Sequence, residues 1–302
     1  MNNNYSSKPQ LLSLFPMLDI SRLLALQSSP LVISLVGGGG KTTTAFWLAH
    51  FFKNWGHRVC VTTTTKMYLP ELHQSDYIIH FDYLASVNSI NDSHSENEKT
   101  TSSLAQDSFI FSDPSITFCH RGVIKSKESQ NKIKVSGLTF NELSILKNEG
   151  NFTVLIIESD GARAMPIKAP LRHEPCIPND SDMVIGVTGA EAINTPATPN
   201  SVHRWSAFSA ITQCQQGDVI NHRVLNKLIS HPSGMFKNAP AHAIKIWLIN
   251  KLDLHHDTQL LNATAESVIE QNHHLDAIWL AVMTSASPIK KILAKEQFAV
   301  AT

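Results

Sequence analysis

The sequence predicts an α/β protein in which helices flank a mostly parallel sheet. Continuous apolar segments, of the kind that form strands buried on both faces, recur along the chain, and helical patterns lie between most of them. This alternation makes a helix-covered parallel sheet the natural architecture. The predicted strands are Leu31–Val36, Arg58–Thr62, Tyr77–Phe81, Thr117–His120, Phe152–Ile157, Met183–Val187, Ala243–Ile249 and Ala277–Val282.

The predicted helices are marked by their start and stop residues. One helix is predicted over Thr42–Trp55, because Gly56 suits the left-handed turn that ends a helix. Another is predicted over Thr139–Lys147, with Thr139 as its cap and Glu142 at the capping-box position. Further helices are expected after Pro16, within residues 201–231, over about 258–271 and from about Pro288 to Phe298.

The chain has 302 residues, which is long enough to bury a sizeable core. Residues 86–108 differ from the rest because they are polar and almost without large apolar side chains. Such a segment cannot bury enough surface to offset its ordering entropy. We therefore expect a single domain over residues 1–302, with a looped or disordered insertion at about 86–108.

Charge and composition indicate a cytoplasmic protein. Lysine plus arginine and aspartate plus glutamate each number 25, so the balance gives no support for binding nucleic acid or acidic membranes. The four cysteines are scattered without a C-x-x-C pair, which is typical of a reducing compartment. The N-terminus lacks the pattern of a signal peptide, and no apolar run is long enough to span a bilayer.

A glycine-rich loop follows the first predicted strand. Gly40, Lys41 and Thr42 match the last three positions of the phosphate-binding pattern G-x-x-x-x-G-K-[ST], although Leu35 stands where its first glycine should be. Glycines let backbone N–H groups turn toward an anion, and the next helix adds its positive end. We expect Lys41 to meet the terminal phosphates, Thr42 to ligate Mg²⁺ and Thr43 to contact an inner phosphate. The glycines of this loop are Gly37, Gly38, Gly39 and Gly40.

An acidic pair follows the strand Phe152–Ile157. A phosphate loop predicts such an acid at the end of a neighbouring strand, where it holds Mg²⁺ or a metal-bound water. Glu158 and Asp160 are the candidates, and Gly161 permits a sharp turn after them. The sequence leaves open which of the two serves the metal.

The second predicted strand ends in the threonine-rich stretch VTTTTKMYLP. Ligands of such sheets bind near the carboxyl ends of the strands. Thr64 or Thr65 could therefore reach Mg²⁺, and Lys66 could meet a phosphate or an anionic substrate. Simple β-propensity of threonine explains the same run equally well.

Asn250, Lys251 and Asp253 form the pattern N-K-x-D after a late apolar strand. This is the guanine-reading pattern of GTP-binding proteins. An aspartate carboxylate accepts two hydrogen bonds from the guanine edge, whereas adenine offers no such pair and would leave the charge unpaired. The pattern favours GTP over ATP.

Together these stretches resemble the YqeC family of selenium-dependent hydroxylase accessory proteins. The resemblance runs in order from about residue 31 to residue 285 and lapses over the polar insertion. It implies a role in maturing selenium-containing molybdenum hydroxylases, with the client hydroxylase or its cofactor as partner. The stretches that carry it are SLVGGGGKTT, VTTTTKMYLP, IIESDGARAMPIKAP, VHRWSAF, ISHPSGMFKNAP and LINKLD.

At a broader level the pattern is similar to the metal-chaperone GTPases of nickel-enzyme assembly. Glu158 matches their acid and Gly161 approximately their glycine, and the similarity implies a P-loop NTPase-like fold and a homodimer. Their metal-binding histidine and cysteine motifs find no match, so a structural zinc site is not expected. Candidates for holding phosphate charge or an anionic substrate are Arg163, Lys168 and Arg204.

Three functions are compatible with these motifs. The first is a GTP-dependent or ATP-dependent assembly factor with slow, partner-stimulated turnover. The second is a small-molecule kinase or ATP-dependent ligase, and the third is a nucleotide-binding module without useful hydrolysis. The N-K-x-D pattern favours the first over the second, and the sequence does not exclude the third.

Overall fold

The computed structural model describes residues 29–83, 114–124 and 132–295. The helix predicted after Pro16 and the polar insertion at 86–108 lie outside the described residues. The strands are β1 (Leu31–Gly37), β2 (Val59–Thr63), β3 (Lys66–Tyr68), β4 (Tyr77–His80), β5 (Ile116–His120), β6 (Gly122–Ile124), β7 (Lys134–Ser136), β8 (Val154–Glu158), β9 (Ile167–Lys168), β10 (Met183–Gly189), β11 (Val202–His203), β12 (Ile244–Asn250), β13 (Ala277–Ala281) and β14 (Ile289–Ala294). The α-helices are α1 (Lys41–Asn54), α2 (Phe140–Glu149), α3 (Trp205–Thr212), α4 (His222–Ser230) and α5 (Thr258–Gln271).

Nine of these strands form one sheet, in the order β14-β13-β12-β10-β1-β8-β2-β5-β4. Every neighbouring pair is parallel except β13 and β14. The predicted fold class, a mostly parallel sheet with flanking helices, is therefore confirmed. The capping box predicted at Thr139 and Glu142 is also present, at the start of α2.

The strand order creates a crevice at one edge of the sheet. After β1 the chain crosses to β2, beyond β8, whereas after β8 it crosses to β10, on the other side of β1. The two neighbouring strands thus send their connections in opposite directions. Ligands of open α/β sheets bind at such a point, outside the carboxyl ends of the strands. Glu158, at the end of β8, lies between Leu35 of β1 and Thr63 of β2.

Both faces of the sheet are covered. Alternate residues of β1 point to opposite faces, so that Leu31, Ile33 and Leu35 pack with helix α1 while Val32 packs with helix α2. Helices α3, α4 and α5 cover the second face over β10, β12 and β13. Strand β1 is buried along its whole length, which explains its continuous apolar sequence.

The last predicted helix, from about Pro288 to Phe298, is wrong where the structure describes it. Ile289–Ala294 forms strand β14, antiparallel to β13. The lysines, leucine and alanine of this segment favour a helix locally. Pairing with the open edge of β13 overrides that preference because it satisfies the backbone groups of that strand.

Two small sheets lie beside the central one. Strands β9 and β11 pair in parallel, with His203 opposite Lys168, and β3, β7 and β6 form an antiparallel sheet. In the part of the chain that the structure describes, none of the helices has both the length and the apolar character needed to cross a bilayer.

Candidate functional site

The glycine loop joins the end of β1 to the start of α1. Gly40, the residue before the helix, has a φ of 124°, which side-chain-bearing residues rarely adopt. A Cβ at this position would collide with Nδ2 of Asn250. The loop therefore needs glycine here both for its backbone conformation and for its close contact with β12.

The backbone amides of the loop divide into two groups. Gly38 N–H donates to the Val187 carbonyl at 2.9 Å and Gly39 N–H to the Met165 carbonyl at 3.0 Å. The amides of residues 40–43 form no hydrogen bond with any described residue. Helix α1 also lacks a side-chain cap and has no acid in its first turn. An uncapped helix start with unpaired amides is a ready anion-binding position.

Lys41 is buried at the centre of the site, with 4% of its surface exposed. Its Nζ donates to the Gly37 carbonyl at 2.7 Å and lies 3.2 Å from Asp160 Oδ1 and 3.8 Å from Glu158 Oε1. Burial opposes the charged form, but Asp160 and Glu158 outweigh it and raise the pKa of Lys41. The ammonium group therefore stays charged.

Thr42 and Glu158 face each other across the start of α1. The Thr42 hydroxyl donates to Glu158 Oε2 at 2.8 Å. Burial, with the Asp160 charge, raises the pKa of Glu158 although Lys41 and Thr42 oppose the shift. A hydroxyl and a carboxylate in this position are hard oxygen donors of the kind that Mg²⁺ prefers, and Mg²⁺ needs few protein ligands beside phosphates and water.

Asp160 is directed at the loop backbone and at a second lysine. Its Oδ2 accepts from Gly37 N–H at 3.1 Å and lies 3.1 Å from Lys168 Nζ. The two acids left open by the sequence thus have different surroundings. Glu158 faces the Thr42 hydroxyl, whereas Asp160 fixes the beginning of the glycine loop.

The threonine-rich stretch at the end of β2 also contacts Glu158, but at the backbone carbonyl of that residue and not at its carboxylate. Thr63 Oγ1 donates to the Glu158 carbonyl at 2.8 Å, and Thr65, half-buried, contacts Thr63 Oγ1 through its N–H at 3.1 Å. Lys66 is exposed on β3. The structure therefore places Thr65 close to the acid-bearing strand end and Lys66 on the outer surface.

Asn250 connects the glycine loop to the segment after β13. This residue is buried, and its Nδ2 donates to the Gly39 carbonyl at 2.9 Å while its Oδ1 accepts from Met283 N–H at 3.0 Å. Lys251 has a φ of 62°, and its Nζ lies 2.6 Å from Glu191 Oε1. Asp253 is exposed on the short 3₁₀ turn that follows. The loop 250–253 therefore stands directly beside the glycine loop.

The predicted basic residues separate into a buried lysine and two arginines nearer the surface. Lys168, only 1% exposed, donates to the Gly161 carbonyl at 2.7 Å and lies 2.9 Å from Glu174 Oε2. Arg204 Nη2 lies 3.4 Å from Glu174 Oε1. Arg163 is exposed, with a φ of 50°.

Three residues of this region were missed by sequence reasoning: Glu174, Glu191 and His203. Burial opposes ionisation of Glu174, but Lys168 and Arg204 hold the pKa of its carboxyl below the usual value. Glu191 pairs with Lys251. Neither acid lies in a motif, and His203 could have been found only because it adjoins Arg204 in the stretch VHRWSAF.

Among the residues that the structure describes, no group of three or more histidine, cysteine, aspartate or glutamate side chains is arranged to hold a metal ion. A magnesium site here would therefore rest on Glu158, on threonine hydroxyls and on ligand oxygens.

The fold and the site define an α/β protein with a mostly parallel sheet, in which a strand, a glycine loop, a lysine and a helix stand beside an acid-ended strand. A family model described as YqeC protein matches residues 33–206. The Escherichia coli (strain K12) protein described as "Uncharacterized protein YqeC" is 35% identical over 260 residues, covering 85% of this chain and 89% of that protein. The chain therefore belongs to the YqeC family, as its motifs predicted.

A comparison with solved structures finds the signal recognition particle receptor FtsY from Elizabethkingia anophelis. The match covers 94% of this chain and 71% of that chain, with a TM-score of 0.33 and 14% sequence identity.

Proposed function

We propose that this protein is a nucleotide-dependent accessory factor that binds a magnesium–nucleoside triphosphate at the glycine loop. Family membership supports an accessory role in general. The resemblance to selenium-dependent hydroxylase accessory proteins gives the finer proposal, in which the client is a selenium-dependent molybdenum hydroxylase or its cofactor. A homodimer is part of the same proposal by analogy alone.

One observation carries the nucleotide proposal. The unpaired amides of residues 40–43, the buried Lys41 ammonium and the Thr42–Glu158 pair converge at the crevice between β1 and β8. Amides and a lysine are complementary to phosphate, and the hydroxyl–carboxylate pair is complementary to a divalent cation.

Binding would change the partners of three side chains. Lys41 would leave the Gly37 carbonyl and Asp160 for the terminal phosphate, while Thr42 and Glu158 would exchange their mutual hydrogen bond for the metal. Asp160 would keep Gly37 N–H and Lys168, so the start of the loop would hold its shape. Mg²⁺ would neutralise phosphate charge at this position. Thr65, whose hydroxyl lies 3.3 Å from Thr63 Oγ1, is proposed as a further ligand of the metal.

Asn250, Lys251 and Asp253 are proposed to select guanine. Asn250 positions its loop against the phosphate loop, and the exposed Asp253 carboxylate is free to accept from a base edge. A carboxylate acceptor favours guanine over adenine. We therefore propose GTP, rather than ATP, as the preferred nucleotide and slow GTP hydrolysis as the activity.

A second candidate activity is transfer of the terminal phosphoryl group to a small anionic molecule. It is favoured by Arg163 and Arg204, which lie beside the acid–lysine network of the loop. Such an enzyme would turn over rapidly once it is given its acceptor, whereas an assembly factor would respond to its client protein. A module that only binds nucleotide would respond to neither.

The proposal is tested by titrating the purified protein with fluorescent GDP and ADP, with and without Mg²⁺. We expect Mg²⁺-dependent binding with at least a tenfold preference for GDP. Lys41→Ala should abolish binding, while Lys53→Ala at the other end of the same helix should bind like wild type. Binding by Lys41→Ala that equals wild type would remove the phosphate-loop assignment. Stimulation of GTP hydrolysis by the apo-hydroxylase client then tests the accessory role.

A further inference from the structure

His203 is paired with Lys168 across β9 and β11, Arg204 shares Glu174 with Lys168, and the exposed Arg163 is close enough to oppose protonation of His203. We infer that Arg163, His203 and Arg204 form a second subsite, which binds a small oxyanion or the phosphate group of a larger molecule next to the terminal phosphate of the nucleotide. This inference deepens the proposed function because it assigns the site of the anionic partner, but anion binding here is measured independently of nucleotide binding.

The two-stranded sheet β9–β11 creates the cluster. His203 is the register partner of Lys168, and partners in neighbouring strands project from the same face. Lys168 Nζ lies 3.1 Å from Asp160 Oδ2, whose other oxygen lies 3.2 Å from Lys41 Nζ. One carboxylate therefore separates the cluster from the lysine of the phosphate loop.

The charges of the cluster are incompletely balanced. Asp160 is shared by Lys41 and Lys168, and Glu174 is shared by Lys168 and Arg204. Arg204 Nε is buried and has no hydrogen-bond partner among the described residues. Arg163 forms no ion pair within the described part of the chain, although it is close enough to His203 to oppose its protonation. An added anion would satisfy both arginines.

Lys168 has a supporting role in this arrangement. Its ammonium group already has Asp160, Glu174 and the Gly161 carbonyl as partners, and it is almost wholly buried. It is thus a positioning residue that holds Glu174 and Asp160 in place.

His203 supplies a neutral polar group at the subsite. The residue is 6% exposed, yet its ring forms no hydrogen bond with any residue that the structure describes. Burial, together with the cations Lys168 and Arg204, lowers the pKa of His203 to about 4. A neutral imidazole has one N–H donor, which can approach an anion without adding a charge.

The backbone of the cluster is strained at three residues that carry side chains. Arg163, Ala164 and Arg204 have φ values of 50°, 60° and 64°. Left-handed conformations in such residues cost free energy and concentrate at ligand-binding positions. Both arginines of the cluster are among these three residues.

The test is a titration of the full chain with inorganic phosphate, by calorimetry and by ³¹P NMR, while a nonhydrolysable GTP analogue and Mg²⁺ fill the loop. We expect one phosphate to bind under these conditions. Arg204→Met should weaken that binding at least tenfold, and Arg163→Met should weaken it by a smaller factor. Arg172→Met, which changes an exposed arginine in the neighbouring segment, is the matched control and should bind like wild type. Phosphate should also raise the pKa of His203, measured from its ring resonances.

Two results would overturn the inference: no phosphate bound while the loop is filled, or equal affinity in wild type and both arginine variants. If Arg204→Met does not fold, the inference is tested by the phosphate affinity of Arg163→Met and by the change in the pKa of His203 on phosphate binding. If the GTP analogue does not bind, the proposed function fails. In that case Lys41→Ala is used to remove anion binding at the glycine loop. Phosphate binding to this variant that is weakened when Arg163→Met is added would still support the subsite. Selenate and phenyl phosphate, used as alternative probes, distinguish a free oxyanion from the phosphate of a larger molecule.

Discussion

The hydroxyl of Thr42 donates a hydrogen bond of 2.8 Å to Oε2 of Glu158, so the two side chains proposed to hold Mg²⁺ are bonded to each other. The bond connects the first turn of α1 to the end of β8, elements that are far apart in sequence. The two oxygen atoms are already close enough to bind the same metal ion. Metal binding would therefore need a local exchange of partners and no movement of either element.

Glu158→Gln is expected to separate metal binding from nucleotide binding. The amide keeps a hydrogen bond to Thr42 but loses the charge that attracts Mg²⁺. Affinity for GDP without Mg²⁺ should stay within about threefold of wild type, while the stimulation by Mg²⁺ should fall at least tenfold. Titrations at several Mg²⁺ concentrations measure both values. Glu266→Gln, on the surface of α5, is the control, and equal Mg²⁺ stimulation in both variants would argue against the metal role.

Gly40→Ala should disrupt the glycine loop. The new Cβ would meet Asn250 Nδ2 in a backbone conformation that alanine disfavours. We expect a loss of about 2–4 kcal/mol in the free energy of unfolding and no measurable nucleotide binding. Gly56→Ala is the matched control because that glycine has a φ of 89° but open space around it, so its cost should be about 1 kcal/mol. Equal costs from urea unfolding would contradict the contact.

Asn250→Ala tests the bridge between the two loops. It leaves the Gly39 carbonyl and the Met283 N–H without their partner in a buried position. Each unpaired group costs about 1–3 kcal/mol, so we expect a loss of about 2–6 kcal/mol in stability and weaker binding of every nucleotide. Asn262→Ala removes a hydrogen bond to Thr258 within α5 and should cost about 1 kcal/mol or less. A stable Asn250→Ala with unchanged affinity would show that the bridge is dispensable.

Asp253→Asn should change the preferred base. The variant replaces a carboxylate acceptor with an amide, which can pair with xanthine but not with the guanine edge. Competition of fluorescent GDP by xanthosine and guanosine diphosphates measures the preference. At least a tenfold shift toward xanthine is expected, with Asp82→Asn as the control. A variant that still prefers guanine would show that another residue reads the base.

His203 predicts a pH dependence of stability. Its folded-state pKa of about 4 lies below its ordinary value near 6.5, so the unfolded chain binds the proton more readily. Stability should therefore fall as pH is lowered from about 6.5 to 4, by up to about 3 kcal/mol from this residue. His203→Gln should flatten that part of the curve measured by urea unfolding between pH 4 and 7. An identical slope in the variant would assign the effect to other groups.

Much of the fold could be predicted because local and global preferences agree. Strands such as β1 and β12 are apolar along their length, and the helix after Gly40 follows a loop that only glycines can form. The failure at Ile289–Ala294 has the opposite cause, since the segment favours a helix locally but completes a sheet edge. Sequence carries no local signal for such an edge.

The candidate site was predictable only where a motif spans a few residues. The glycine loop, Glu158 and Asn250 each stand at a strand end, and the parallel sheet brings such ends together. Glu174 and Glu191 were not predictable because their roles depend on Lys168 and Lys251, which the fold brings to them. The burial of Lys168 is likewise a tertiary effect, since a lysine is almost never fully buried unless the fold brings it a charged partner.

The side chain of Asn250 has a consequence for ligand length. It holds Gly39 with one atom and Met283 with another, so the loop proposed for phosphates and the loop proposed for the base cannot separate without breaking a buried amide's hydrogen bonds. Asn250 thus adds to the strand pairing that holds the two loops at a set distance from each other. A ligand would be admitted by its span from base to phosphate as well as by its chemistry at either end.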